Sequence, residues 1–132
     1  MKRSNDAALS LLASSQSLND LLFILRNICK NLDLREVKPY LKQSASFRFV
    51  FFGLLTKAKG TLQIMLFRTE NLEPERVKEL RKELLAIQRQ LEKATRHINE
   101  KHLTEGQQEI IAVTEEYEKL FPQLQKEVNR LL

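Results

Sequence analysis

The chain has 132 residues, 42% of them hydrophobic and 30% charged, and a formal net charge of +5. A domain of this length buries roughly two-thirds of its unfolded surface, so it needs no disulfide or metal staple, and the composition excludes a disordered or fibrous chain. Only 3 Gly and 3 Pro interrupt it, and because strands need turn residues far more often, helices are expected throughout.

Met1 to Asp6 lack the apolar core and cleavage site of a secretory signal, and the lone Cys29 has no intramolecular disulfide partner. A cytoplasmic protein is expected. Leu11, Leu18, Leu21, Leu22, Leu25, Ile28 and Leu32 recur at helical spacings and form one stripe. Ser17 with Asp20 makes a helix start signal inside that stretch, which leaves one long helix or two short ones open. Residues 33–43 contain Pro39 and read as a short, irregular, locally basic connection.

Ser44 or Ser46 is placed to cap the next helix, whose body runs from Phe47 to about Phe67. Its first turns are apolar all round, unlike an amphipathic surface helix. The longest uncharged apolar stretch, Phe49 to Thr56, falls well short of the ~20 residues that span a bilayer, so no transmembrane segment is expected.

Asn71 followed by Pro74 resembles a helix start. From there Val77, Leu80, Leu84, Ile87, Leu91, Ala94 and Ile98 alternate spacings of three and four without a fault, which is a heptad seam. The intervening charges largely neutralise one another, with Glu92 and Arg96 spaced as an i, i+4 pair. Thr104 and Gln107 form a T-x-x-Q capping box around Gly106, placing a turn near His102 to Thr104. Ile110, Val113, Tyr117, Leu120, Leu124, Val128 and Leu131 make the last stripe, with a register shift after Leu124 and a kink or division expected at Pro122. The elements predict an all-α, antiparallel four-helix bundle forming a single domain over residues 1–132.

Chemical motifs are sparse. Cys29 lies on the apolar stripe of its helix, where a free Cys serves as a small hydrophobe. The chain has no H-E-x-x-H, C-x-x-C or Gly-rich phosphate loop, so no metal, cofactor or small-molecule substrate is expected. The run Arg96-His97-Ile98-Asn99-Glu100-Lys101-His102 resembles the Arg-polar-x(4)-His pattern of the HEPN ribonucleases, which are helical bundles of about this size. That likeness implies metal-independent RNA cleavage by Arg96 and His102 at a dimer interface, with His97 as the polar residue. On a regular helix the two lie about 120° apart. With Arg96 at an outward f position and His102 at e, only a helix break or a second subunit brings them together.

Charge is distributed unevenly. Residues 1–60 carry 10 Lys/Arg against 4 Asp/Glu, whereas residues 61–132 carry 12 against 13. Such a basic region attracts nucleic acid, anionic lipid or an acidic protein. Arg35, Lys38 and Lys42, with Arg48, Lys57 and Lys59 nearby, are the candidate anion-binding or nucleic-acid-binding residues, sufficient for weak, salt-sensitive contact. The same charges would also keep a connection solvated. Phe47, Phe49, Phe51 and Phe52 supply more apolar surface than one stripe needs and predict core and interface roles in a homo-oligomer. The function expected is non-enzymatic: an interaction protein whose basic N-terminal half meets nucleic acid or an acidic protein. A HEPN-like ribonuclease and a purely structural subunit of a larger assembly are the alternatives.

Overall fold

The heptad evident between Val77 and Ile98 is one of four. A computed structural model describes residues 2–31, 45–70, 72, 75–100 and 102–132. These form helices α1 (Lys2–Asn31), α2 (Ala45–Glu70), α3 (Glu75–Asn99) and α4 (Leu103–Leu131). Buried residues follow alternating spacings of three and four on each: Ala8, Leu11, Ser15, Leu18, Leu22, Leu25 and Cys29 on α1, and Phe51, Leu55, Ala58, Leu62, Met65 and Thr69 on α2. On α3 the seam runs from Val77 to Ile98, and on α4 from Leu103 through Gly106, Ile110, Val113, Tyr117, Leu120 and Leu124 to Glu127. A 3.5-residue repeat keeps a narrow stripe facing inward along the whole helix, which is the packing of four-helix bundles.

α1 packs on α2, α2 on α3, α3 on α4, and α4 back on α1. Short links make α2–α3 and α3–α4 hairpins. Across α1–α4, Ser15 meets Tyr117 whereas Cys29, further along, meets Gln107, so these two also run antiparallel. The result is an up-down-up-down, antiparallel four-helix bundle.

Several local expectations change. α1 is one helix, with Ser17 exposed in its middle and Asp20 accepting from Gln16 at 3.1 Å instead of starting a new helix. Leu21 and Ile28 are only half-buried, because Ser15 and Cys29 hold the seam positions. Ser44 and the 33–43 connection lie outside the described residues, and Ser46 falls within α2. α4 begins at Leu103 with His102 as its N-cap and no side-chain cap bond. Thr104 is therefore inside the helix, and Gln107 donates to the Cys29 carbonyl of α1, a tertiary contact that displaces the expected capping box. Pro122 leaves α4 undivided. It occupies an exposed f position, so the carbonyl it deprives of a partner can face water. After Leu124, both Glu127 and Val128 are buried, and Glu127 lies 3.6 Å from Arg130. The Glu92–Arg96 pair is absent from the ion pairs of the described residues.

Buried hydroxyls are satisfied locally, as burial requires. Ser15, Thr69 and Thr114 hydroxyls donate to Leu12, Leu66 and Ile110 carbonyls at 2.7, 2.8 and 2.8 Å. The Tyr117 hydroxyl crosses to the Ser15 carbonyl at 2.7 Å and ties α4 to α1.

The three glycines divide into two kinds. A Cβ on Gly106 would sit 2.5 Å from Ile98 Cγ1 and 3.1 Å from the Ala94 carbonyl oxygen, so this glycine lets α3 and α4 approach closely. Gly53 and Gly60 face open space at outward f positions. Urea denaturation should report Gly106→Val as destabilising by about 2 kcal/mol or more through overpacking. Gly53→Ala and Gly60→Ala should each stabilise by roughly 0.5–1 kcal/mol, since a helix interior favours Ala and nothing obstructs its methyl.

Candidate docking face

Heptad position fixes which way each remaining side chain points. α1 turns its e flank to α4, where Arg26 pairs with Glu118, and its g flank to α2. α2 turns its e flank to α3, where Glu70, just beyond it, pairs with Arg81 at 2.5 Å, and its g flank to α1. The c positions of both helices then point straight out of the α1–α2 layer. Those stripes hold Ser10, Ser17 and Ile24 on α1, and Val50, Lys57 and Ile64 on α2.

Ile24, Val50 and Ile64 are 45%, 54% and 50% exposed, and Phe67, one step round at an f position, is 59% exposed. Between the stripes lie Leu21, Ile28 and Leu54, half-buried against the core. Leu9 and Phe23 are exposed at b positions, on the neighbouring flank toward α4. Among the described residues, six of the seven exposed large hydrophobic side chains belong to α1 and α2, and the seventh is the terminal Leu132. Stretches of these two helices, Asp6–Asn31 and Val50–Glu70, are also long and apolar enough to cross a membrane by length and composition. Counting only uncharged runs conceals this, because a window tolerating one or two charges is much longer.

The electrostatics of the two helices differ. Arg26 and Lys30 of α1 are matched by Glu118 and Glu115 of α4, the latter at 3.9 Å. α2 carries Arg48, Lys57, Lys59 and Arg68 and no carboxylate before its last residue, Glu70. Lys57 is exposed in the middle of the outward stripe, and Lys59 is half-exposed on the α3 side. The Arg68 guanidinium lies 5.7 Å from the centre of the Phe67 ring, a cation–π arrangement that leaves its charge beside the apolar face.

Of the predicted anion-binding residues, Lys57 and Lys59 are thus on α2, with Lys57 on the face itself. Arg35, Lys38 and Lys42 lie outside the described residues, as does the side chain of Arg48. Of the predicted interface phenylalanines, Phe51 is 1% exposed and belongs to the core, while Phe52 is half-buried and meets Phe51 edge-on at 5.6 Å. The side chains of Phe47 and Phe49 lie outside the described residues. Sequence reasoning missed Leu9, Ile24, Ile64 and Phe67 as surface residues. The signal available was apolar residues falling off the seam.

At the α3–α4 turn the helix does break, after Asn99, and His102 approaches His97. The two imidazoles are 5.7 Å apart, and His97 Nδ1 lies 2.9 Å from Glu109 Oε2, with Lys93 3.8 Å from the same carboxylate. Arg96 is exposed, in an open groove with Arg89, Glu92 and Lys93. No group of three metal-ligating side chains occurs among the described residues. Cys29 is buried, and loss of water pushes its thiol up to about 12, which disables it as a nucleophile. Burial raises the Tyr117 phenol in the same way.

The chain matches no family model, and no curated protein or solved structure is significantly similar to it.

Cys29 and Tyr117 give the fold a defined alkaline limit. Once unfolded, the thiol ionises near 9.0 and the phenol near 10.0, but the native state keeps both protonated. The unfolded chain therefore binds fewer protons above those values, and stability falls as pH rises through them, by up to about 1.4 kcal/mol per pH unit for each group. Urea titrations at increasing pH should show this decline, and Cys29→Ala and Tyr117→Phe should each flatten it.

Proposed function

We propose that the chain is a non-enzymatic docking protein that engages an anionic partner through the outer face of α1 and α2. The observation that carries this reading is the concentration of exposed Ile24, Val50, Ile64 and Phe67 around Lys57 on one side of the bundle. Covering apolar surface contributes about 25 cal/mol per Å², so a few such side chains supply a useful driving force. Patches of this kind mark interaction sites. The carboxylate-poor surface of α2 selects for negative charge in whatever covers it.

α3 and α4 act as scaffold. Their large apolar residues are buried or half-buried apart from the terminal Leu132, and their outer faces carry mixed charge. The ribonuclease alternative draws no support from Arg96, which is exposed in an open groove with Arg89, Glu92 and Lys93, while His102 packs on His97. Pure protein should leave an RNA oligomer uncut. Cleavage that disappears in Arg96→Ala or His102→Ala would instead establish the enzyme.

The docking reading is tested by native sizing of the protein in fresh cell extract. The wild type should migrate in complexes, and Ile64→Gln combined with Phe67→Gln should shift it to the size of a free monomer. Ala86→Gln, on the outer side of α3, should not. A wild type already free in extract removes the reading.

A further inference from the structure

The occupant of the α1–α2 face is constrained by two properties that coincide on it, exposed aliphatic and aromatic side chains and the charge of Lys57, which has no ion-pair partner among the described residues. A nucleic acid would satisfy Lys57 through a phosphate but leave Ile24, Val50 and Ile64 in water. A second copy would cover the apolar residues, but a two-fold contact sets the same patch against itself and apposes the Lys57 stripes. An anionic bilayer surface satisfies both at once. Side chains enter the acyl boundary while Lys and Arg stems extend back to the headgroups.

The helices themselves fit such a surface. α1 and α2 lie side by side, 30 and 26 residues long, so the layer they form spans about 40 Å at 1.5 Å per residue. Gly53 and Gly60, with open space around them, keep α2 low beside the Val50–Ile64 stripe. In each helix the window apolar enough for a membrane has only 33% of its residues buried in the bundle. A core helix of that hydropathy would be mostly covered. Here the rest of the window is divided between half-buried and exposed residues.

We propose that the chain is a peripheral membrane protein that lays the α1–α2 layer on an anionic lipid surface. Ile24, Val50, Ile64 and Phe67 insert, and Lys57 and Arg68 meet the headgroups. This rests on the docking role proposed above and names its partner. The bundle stays folded, because α1 and α2 use their a and d positions against α3 and α4 and present only their c, f and g positions to the lipid.

Sedimentation of the full chain with vesicles provides the test. Vesicles of phosphatidylcholine and phosphatidylserine in equal parts should carry the protein down, and vesicles of phosphatidylcholine alone should bind it far less. Ile24→Gln and Ile64→Gln should each weaken partitioning by roughly tenfold, from the lost transfer of one large side chain. Lys57→Glu should weaken it by more than fivefold, the value of about one lost cation, and raised salt should act in the same direction. Leu9→Gln, equally apolar but on the α4 flank, should bind like wild type. Unaltered thermal unfolding of the variants confirms that the bundle is intact. Binding to neither vesicle overturns the proposal, and so does equal binding by the Ile64→Gln variant. If vesicles fail but Ile64→Gln dissolves a dimer, or Lys57→Glu abolishes RNA binding, the lipid proposal is overturned while the docking face stands.

Discussion

Alternation of buried residues at spacings of three and four, sustained along all four helices, is the constraint from which the rest of this bundle follows. It fixes an inward stripe, and through the stripe it fixes the direction of every other side chain. Where a buried side chain carries a hydroxyl, the hydroxyl finds a carbonyl partner. Ser15, Thr69 and Thr114 bond to their own helices, and Tyr117 reaches the Ser15 carbonyl across the α1–α4 contact. Gly106 is the steric counterpart of these polar remedies. A side chain there would collide with Ile98 and the Ala94 carbonyl, so the closeness of α3 and α4 depends on an absent methyl.

The four helices meet the same packing rule with different surpluses. α3 and α4 keep their large apolar residues covered, Leu132 excepted, and turn charges outward, the arrangement of an amphipathic surface helix. α1 and α2 place apolar residues on the seam and again at positions pointing away from it. Electrostatics deepens the difference. Carboxylates of α4 answer Arg26 and Lys30 of α1, whereas the Lys57 and Lys59 charges of α2 have no ion-pair partner among the described residues. The outward stripe of α2 thus joins surplus hydrophobicity to the charge of Lys57, and that coincidence gives the α1–α2 face its character.

Much of this was legible in the amino-acid order, unevenly. The Val77–Ile98 seam is explicit because its charged neighbours leave no other stripe to choose. In α2 the stripe is hidden: Phe49, Val50, Phe51 and Phe52 are all apolar, and hydrophobicity alone cannot say that Phe51 turns inward while Val50 turns out. The T-x-x-Q pattern at Thr104 was misleading for a related reason. Local hydrogen-bonding potential placed Gln107 on its own helix end, but a carbonyl on α1 lay within reach and took it.

By itself, then, the sequence determined helix content, the approximate ends of the helices, the four-helix topology and the basic bias of the first half, because these depend on periodicity, punctuation and composition within short stretches. Tertiary structure decided which apolar residues remain outside, that Arg26 and Lys30 are answered by α4 while Lys57 and Lys59 have no ion-pair partner among the described residues, and that His102 packs beside His97. Each of these depends on which helix lies beside which. Segments far apart along the chain settle that, as the 102-residue separation of Ser15 and Tyr117 illustrates.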